Sequence, residues 1–493
     1  MQRDIKSYTE EIHALEQQHD VNQFQHDGLN IWPLIRYHYL LKFKHPEEYE
    51  TYNKTQAAQL FGFKKWRADR GNSKIKKANW SQFIDEVNEL QSSEVLLYTR
   101  KEEYKDEVNG KSYNKFIDPY FDYFQEKGIG LQKLELYGGA PSSGRLNAPQ
   151  LLNEAIFGNY FRSKDALDSV VNSAQLNSTF EWMDQNADIV INKDRFHNNL
   201  KAVYQYEELF TEVLKQVKPK HVFMAAYYAS DTFGLILACR KLGITTIDVQ
   251  HGKQGTFHPV YSHWTKIPEA GYDLLPDYFW NWGKESKDNI DKWFPTNAKH
   301  RCVVGGNLWL GKWKNTDFYQ PDTAGKSFID GLATYKKVIL FSLQPIESGM
   351  MPEHVKQTIE NSPEDWCWLL RLHPSQLKIK PELEDTFQSM KNVEIEEARR
   401  LPLYYLLRHA NHHITCWSSV CVEALQFDVP TTIVHSTGEM LFENYIEKGM
   451  FTAAKTTQEL TILISNSEKK AFNDDYLLSD TETMESAMKQ MMN

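Results

Sequence analysis

A chain of 493 residues is too long for one ordinary core, so two large domains are expected. Its composition, 41% apolar and 25% charged, is that of a globular protein, and a net charge of −10 argues against a general nucleic-acid binder. The five cysteines form no C-x-x-C pair, which argues against a disulfide or zinc framework and for reduced, buried thiols in a cytosolic protein.

The opening stretch, MQRDIKSYTEEIHALEQQHD, is polar, with no apolar signal core, and no apolar run along the chain is long enough to span a membrane. The expected location is the cytoplasm. Residues 1–90 read as a helical N-terminal extension. In GLNIWPLIRYHYLLKFKH the apolar residues Ile31, Trp32, Leu34, Ile35, Tyr37, Leu40 and Leu41 fall mostly on one helical face, after Pro33 at a first-turn position. Seven cations between Lys64 and Lys77 then surround Trp66. Peripheral contact of 31–77 with an anionic inner-membrane surface is one reading of this stretch; a solvated helix face and loop is the other.

From residue 94 short apolar strands alternate with helices: EVLLYTR, LQKLELYGG, KHVFMAAYY, ITTIDVQHG, DYFWNWG and HRCVVGGN are the strands. Residues 140–218 read as Ser/Asn-rich and helical. The segment 308–335 has no strand signal and reads as a connection. Alternation restarts with KKVILFSLQP, CWLLRLHP, VEIEEA, HHITCWSS and PTTIVHS. Strand–helix alternation predicts parallel sheets covered on both faces. The expected domains are 91–310 and 336–465, followed by a helical tail over 466–493.

Ligands of such sheets bind beyond the carboxyl ends of the strands, and four ends stand out. Gln250, His251 and Gly252 close one strand. An imidazole suits a proton acceptor near neutral pH, and Gly252 permits a turn or a close ligand; a structural loop histidine is the alternative. Gly305 and Gly306 before Asn307 allow either close ligand approach or a sharp turn. Arg371 and His373 share one face of a strand that Pro374 halts, and both can donate to phosphate or carboxylate. Ser418 and Ser419 open a helix, as a phosphate site or as an ordinary N-cap. Glu423, one turn on, can accept from ribose hydroxyls or cap the helix. No strand end carries G-x-x-x-x-G-K-[ST] or G-x-G-x-x-G, which removes the main support for ATPase and dehydrogenase readings.

RLHP (371–374) resembles the HP motif of bacterial sialyltransferases, polysialyltransferases and Kdo transferases, and the serines at 418–419 resemble their serine pair. VQHG (249–252) resembles the strand-end motif of capsule-assembly Kdo transferases and the H-G motif of CDP-glycerol polymerases. The resemblance implies an α/β chain of the GT-B class, two Rossmann-like doubly wound domains facing a cleft. It also implies that His373 and the serines hold a cytidine nucleotide while His251 is the general base. The function expected on this ground is a glycosyltransferase of surface polysaccharide (capsule, lipopolysaccharide or O-antigen). It would move a nonulosonic or ulosonic acid from a CMP-activated donor to a saccharide or lipid-linked saccharide acceptor, with no cofactor and no metal. The alternatives are a CDP-polyol-dependent polyol-phosphate transferase and a non-catalytic nucleotide- or sugar-binding protein.

Overall fold

The computed structural model describes residues 4–50, 80–100, 105–108, 110–137, 144–153, 174–252, 254–294, 299–314, 318–346, 349–471 and 477–492. The basic stretch 64–77 lies outside them. The chain divides into two compact units. One comprises Met1–Lys105, Lys111–Leu308 and Thr481–Asn493; the other is chiefly Trp309–Asp480.

The first unit is built on seven parallel strands: β1 (Val95–Arg100), β2 (Leu131–Tyr137), β3 (Gln150–Asn153), β4 (His221–Ala225), β5 (Thr245–Val249), β6 (Tyr278–Asn281) and β7 (Arg301–Val304). Their order is β7-β6-β5-β4-β1-β2-β3. Both faces are covered, so the central strands are apolar at successive positions: Val95 to Tyr98 of β1 are all buried. The long helix Lys193–Val217 packs against Ser230–Leu242 so closely that a Cβ on Gly234 would lie 2.5 Å from the Cβ of Tyr206.

The N-terminal helices are part of this unit. Helix Ile5–Gln18 is capped by Asp4, which accepts from the Ser7 amide at 2.8 Å, and helix Trp32–Lys44 has Pro33 in its first turn, as expected. Their apolar residues Ile12, Leu15, Trp32, Leu34, Ile35, Tyr39 and Leu40 lie in the core, so this part of 31–77 is committed to packing. Glu16 and Arg36 pair at 2.5 Å, both fully buried. Their remaining capacity goes to the segment after β5. Glu16 accepts from the Thr265 amide and hydroxyl at 2.6 and 2.8 Å. Arg36 donates to the carbonyls of Pro259, Ser262 and His263 and stacks 3.8 Å over the Trp264 ring. The C-terminal helix Thr481–Met492 also joins this unit, with Glu485 paired to Lys127 at 2.7 Å.

The second unit carries β8 (Lys337–Ser342), β9 (Trp366–Arg371), β10 (Val393–Glu394), β11 (His412–Thr415), β12 (Thr431–Ile433) and β13 (Phe451–Ala453), all parallel, in the order β10-β9-β8-β11-β12-β13. The segment expected as a bare connection holds helices Leu308–Lys314 and Thr323–Leu332, with Trp309 and Trp313 buried. Taken from its first strand, the second sheet runs 3-2-1-4-5-6, the doubly wound order, and the first runs the same way with a seventh strand added at its edge, so the fold class is the expected one. Among the described residues no helix is long and apolar enough to cross a membrane.

Candidate functional site

In the doubly wound order the crevice opens where consecutive strands diverge: between β1 and β4 in the first unit, and between β8 and β11 in the second.

In the first unit the turn after β4 is shaped by Asp248 of β5. Its carboxylate accepts from the Tyr227 amide at 3.0 Å and the Tyr261 hydroxyl at 2.7 Å. These bonds hold a turn in which Ala226 sits at φ 59°, a left-handed conformation that disfavours any side chain. Burial raises the Asp248 carboxyl to about 7, against the opposing pull of its hydrogen-bond donors. Beyond that turn comes Tyr228, whose hydroxyl lies 3.1 Å from Nε2 of His251.

His251 is held by its neighbour. Gln250 is buried; its amide donates to Gly252 O at 2.8 Å and to Ser286 Oγ at 3.0 Å, and its carbonyl oxygen accepts from the Trp282 amide at 2.7 Å. The first of these bonds closes the loop that carries His251 on itself, and the other two fasten it to the segment after β6. The side of the ring is lined by Phe116, centroid 6.2 Å away. Burial, then the charges of Lys44 and Arg100, lower His251 to about 3, with a backbone contact to Val249 working the other way. At that value the ring is neutral at physiological pH and a weak base. Gly252 has ordinary φ and no atom within 4 Å of where a Cβ would stand, so neither strain nor crowding demands glycine there.

The other glycine pair has a local explanation. A Cβ on Gly305 would lie 2.1 Å from the Trp280 indole, and Gly306 has φ 79° and accepts from Trp280 Nε1 at 2.8 Å. The sharp turn and the tryptophan beneath it account for both glycines; Asn307, next along, is buried. Nearby, Asn281 and Gln254 bond at 2.7 Å, yet Asn281 Oδ1 and Gln254 Nε2, both buried, find no partner among the described residues.

In the second unit Arg371 and His373 part company. The Arg371 guanidinium donates to the carbonyls of Ala398 and Leu401, at 2.6 and 2.7 Å, closing the C-terminal end of helix Glu396–Arg400. His373 is exposed, its amide donating to Gln376 Oε1 at 3.2 Å as Pro374–Ile379 turns away in a 3₁₀ helix. Beyond β11, Gln344 accepts from the Trp417 amide at 2.6 Å and Thr415 Oγ1 accepts from the Ser418 amide at 3.0 Å. Those two backbone donors are therefore used within the protein. Helix Val420–Leu425 is only six residues long. Ser418 Oγ accepts from the Val420 amide at 3.4 Å, Ser419 caps nothing, and both serines are half-exposed. Glu423 is buried. The turn is backed by Gly438, where a Cβ would lie 1.8 Å from the Cys416 carbonyl oxygen.

The structure thus places Gln250, His251 and Gly252 at the end of β5 in the first unit, and His373, Ser418 and Ser419 beyond the ends of β9 and β11 in the second, with Arg371 turned to a helix end. Sequence reasoning passed over Tyr228, Asp248's anchoring role, Lys44, Gln344 and the Trp417–His435 edge contact at 4.8 Å. Tyr228 and Gln344 follow β4 and β8, the strands that bound the two crevices; strand order was the signal that would have pointed to them.

Two Rossmann-like sheets in one chain, each with polar groups at the switch point, are the elements of a GT-B-like fold. In sequence, no described protein family matches the chain and no curated protein does. Among solved structures the chain is similar to the UDP-GlcNAc 2-epimerase of Methanocaldococcus jannaschii, at 14% identity over 81% of this chain and 99% of that one, with a TM-score of 0.51. It also matches the Neisseria meningitidis UDP-GlcNAc 2-epimerase bound to UDP-GlcNAc (15% identity, 81% and 99% covered, TM-score 0.49). The wall teichoic acid polymerase TagF matches over more of the chain (11% identity, 92% and 93% covered, TM-score 0.42). The first of these likenesses establishes the fold.

Proposed function

We propose that the chain is a glycosyltransferase of surface-polysaccharide assembly, taking a nonulosonic or ulosonic acid from a CMP-activated donor. The observation that carries this reading is an imidazole at the end of β5, on a loop fastened by Gln250, beside the open Gly252. His251 removes the proton of an acceptor hydroxyl; that oxygen attacks the anomeric carbon; the bond to the CMP phosphate breaks and its electron pair leaves with CMP. His373, Ser418 and Ser419 stand at the ends of β9 and β11, either side of β8. Two strand spacings, roughly 10 Å, suit a phosphate and its ribose. Their donors stabilise charge on the departing phosphate. Arg371 supports this rim by anchoring helix Glu396–Arg400, and the scheme calls on no metal.

A thermal-shift screen of CMP, CDP, UDP and GDP tests the nucleotide. A ligand that binds only the folded chain raises the melting point with its affinity. CMP is expected to shift the wild type most and His373→Ala least. A larger shift with UDP or GDP overturns the cytidine assignment, and consumption of a CDP-polyol in place of a CMP-sugar turns the chemistry to attack at phosphorus.

A further inference from the structure

We propose that the rim around His251 seats an anionic group of the acceptor, a carboxylate or a phosphate, between Lys44 and His258. The inference rests on His251 as the acceptor's base. Tyr228 stands at the centre of the cluster. Lys44, at the end of helix Trp32–Lys44, lies 5.8 Å from the Tyr228 ring centroid; the His258 ring lies 5.8 Å away; and the hydroxyl meets His251 at 3.1 Å. Among the described residues the buried His258 Nδ1 has no hydrogen-bond partner.

The charges that bear most on this cluster are positive. Lys44 and Arg100 bear on His251; Lys44 and Arg36 bear on His258. Arg36 is neutralised by Glu16, and Arg100 by Asp231, which it meets through Nε at 2.5 Å. Lys44 has no carboxylate partner among the described residues. Asp248, the other acid close by, spends its oxygens on Tyr227 and Tyr261. A half-buried base beside an uncompensated lysine holds a proton poorly. An anion a few ångströms away reverses that, typically by about 1–3 pKa units. The acceptor's own charge would therefore complete the base. Its hydroxyl replaces that of Tyr228 on Nε2, gives its proton there, and the imidazolium so formed sits beside the anion. An N-terminal helix without a recognisable motif thereby acquires a role in acceptor choice.

The test is an NMR pH titration of the full chain labelled with ¹³Cε1-histidine, the His251 line being assigned by its loss in His251→Ala. The probes are inorganic phosphate, acetate and, as a neutral control, glucose. Saturable binding of phosphate or acetate is expected to raise the His251 pKa by at least about one unit. Lys44→Met, folded as judged by its melting point, should bind that anion at least tenfold more weakly, and Lys44→Arg should restore it. Preference between the two anions distinguishes a phosphorylated from a carboxylated acceptor. If neither moves the His251 line more than glucose does, or Lys44→Met binds as tightly as wild type, the inference is wrong. No donor or turnover enters the measurement, so it stands or falls apart from the nucleotide assignment.

Discussion

At the scale of single residues the most informative group is Asp248. Its carboxyl titrates at about 7 in the fold and at roughly 3.9 in the unfolded chain. A raised pKa means that the folded chain holds the extra proton, so this contribution is complete below the unfolded value and is lost as pH rises towards 7. Asp248→Asn removes that dependence. Its cost to stability, read from urea denaturation, should therefore be greater at pH 4 than at pH 8, by up to about 4 kcal/mol. The histidines run the other way. His412 and His413 sit in β11 against Thr432, Thr431 and Ser342, and burial holds both at about 3. Their stabilisation is full above the unfolded value near 6.5 and is lost as pH falls towards 3, at roughly 1.4 kcal/mol per pH unit for each ring. Urea midpoints that stay level from pH 7 to pH 4 in Asp248→Asn would contradict this assignment.

At the scale of elements, the turns that carry the rims depend on close backbone packing. Gly438→Ala would drive a Cβ onto the Cys416 carbonyl, which cannot rotate away, and should destabilise by about 1–3 kcal/mol or more. Gly305→Ala meets the Trp280 ring and should cost a similar amount. Arg371→Met leaves two carbonyls at a helix end without their donor. It should lower stability by about 1–3 kcal/mol while leaving CMP affinity nearly unchanged; a large loss of CMP binding without loss of stability would return Arg371 to the phosphate. Here the sequence was only partly readable. Strands β1, β8 and β9 announce themselves because both faces are buried, which forces consecutive apolar residues. Gln150–Asn153 and Phe451–Ala453 do not, being edge strands of four and three residues with one neighbour each. RLHP correctly marks a strand end, but i and i+2 share a face only while the strand lasts; β9 stops at Arg371, so the shared side is lost before His373.

At the scale of the whole chain, the alternation of strands and helices was enough to read two doubly wound units. What it could not show was which distant residues complete them. Glu16 and Arg36 look like ordinary helical charges, yet they hold a segment more than two hundred residues away, from Pro259 to Thr265. No periodicity reports such a partner, because pairing of buried polar groups is decided by the fold. Breaking the pair leaves a buried charge uncompensated, so Glu16→Gln should cost about 3–5 kcal/mol. It should also depress transfer through the displaced His258 segment. Lys44 stayed unread for the same reason: its place beside Tyr228 and His251 is a tertiary fact.

The central claim is that His251 takes the acceptor's proton while His373 and the serines hold the nucleotide. Single-turnover release of CMP from a CMP-activated ulosonic acid, in the presence of a saccharide acceptor, tests it most directly when run on wild type, His251→Ala and His373→Ala. His251→Ala is expected to slow the chemical step by about 10²–10⁴-fold with CMP binding intact, and His373→Ala chiefly to weaken binding. Transfer by His251→Ala at the wild-type rate would contradict it.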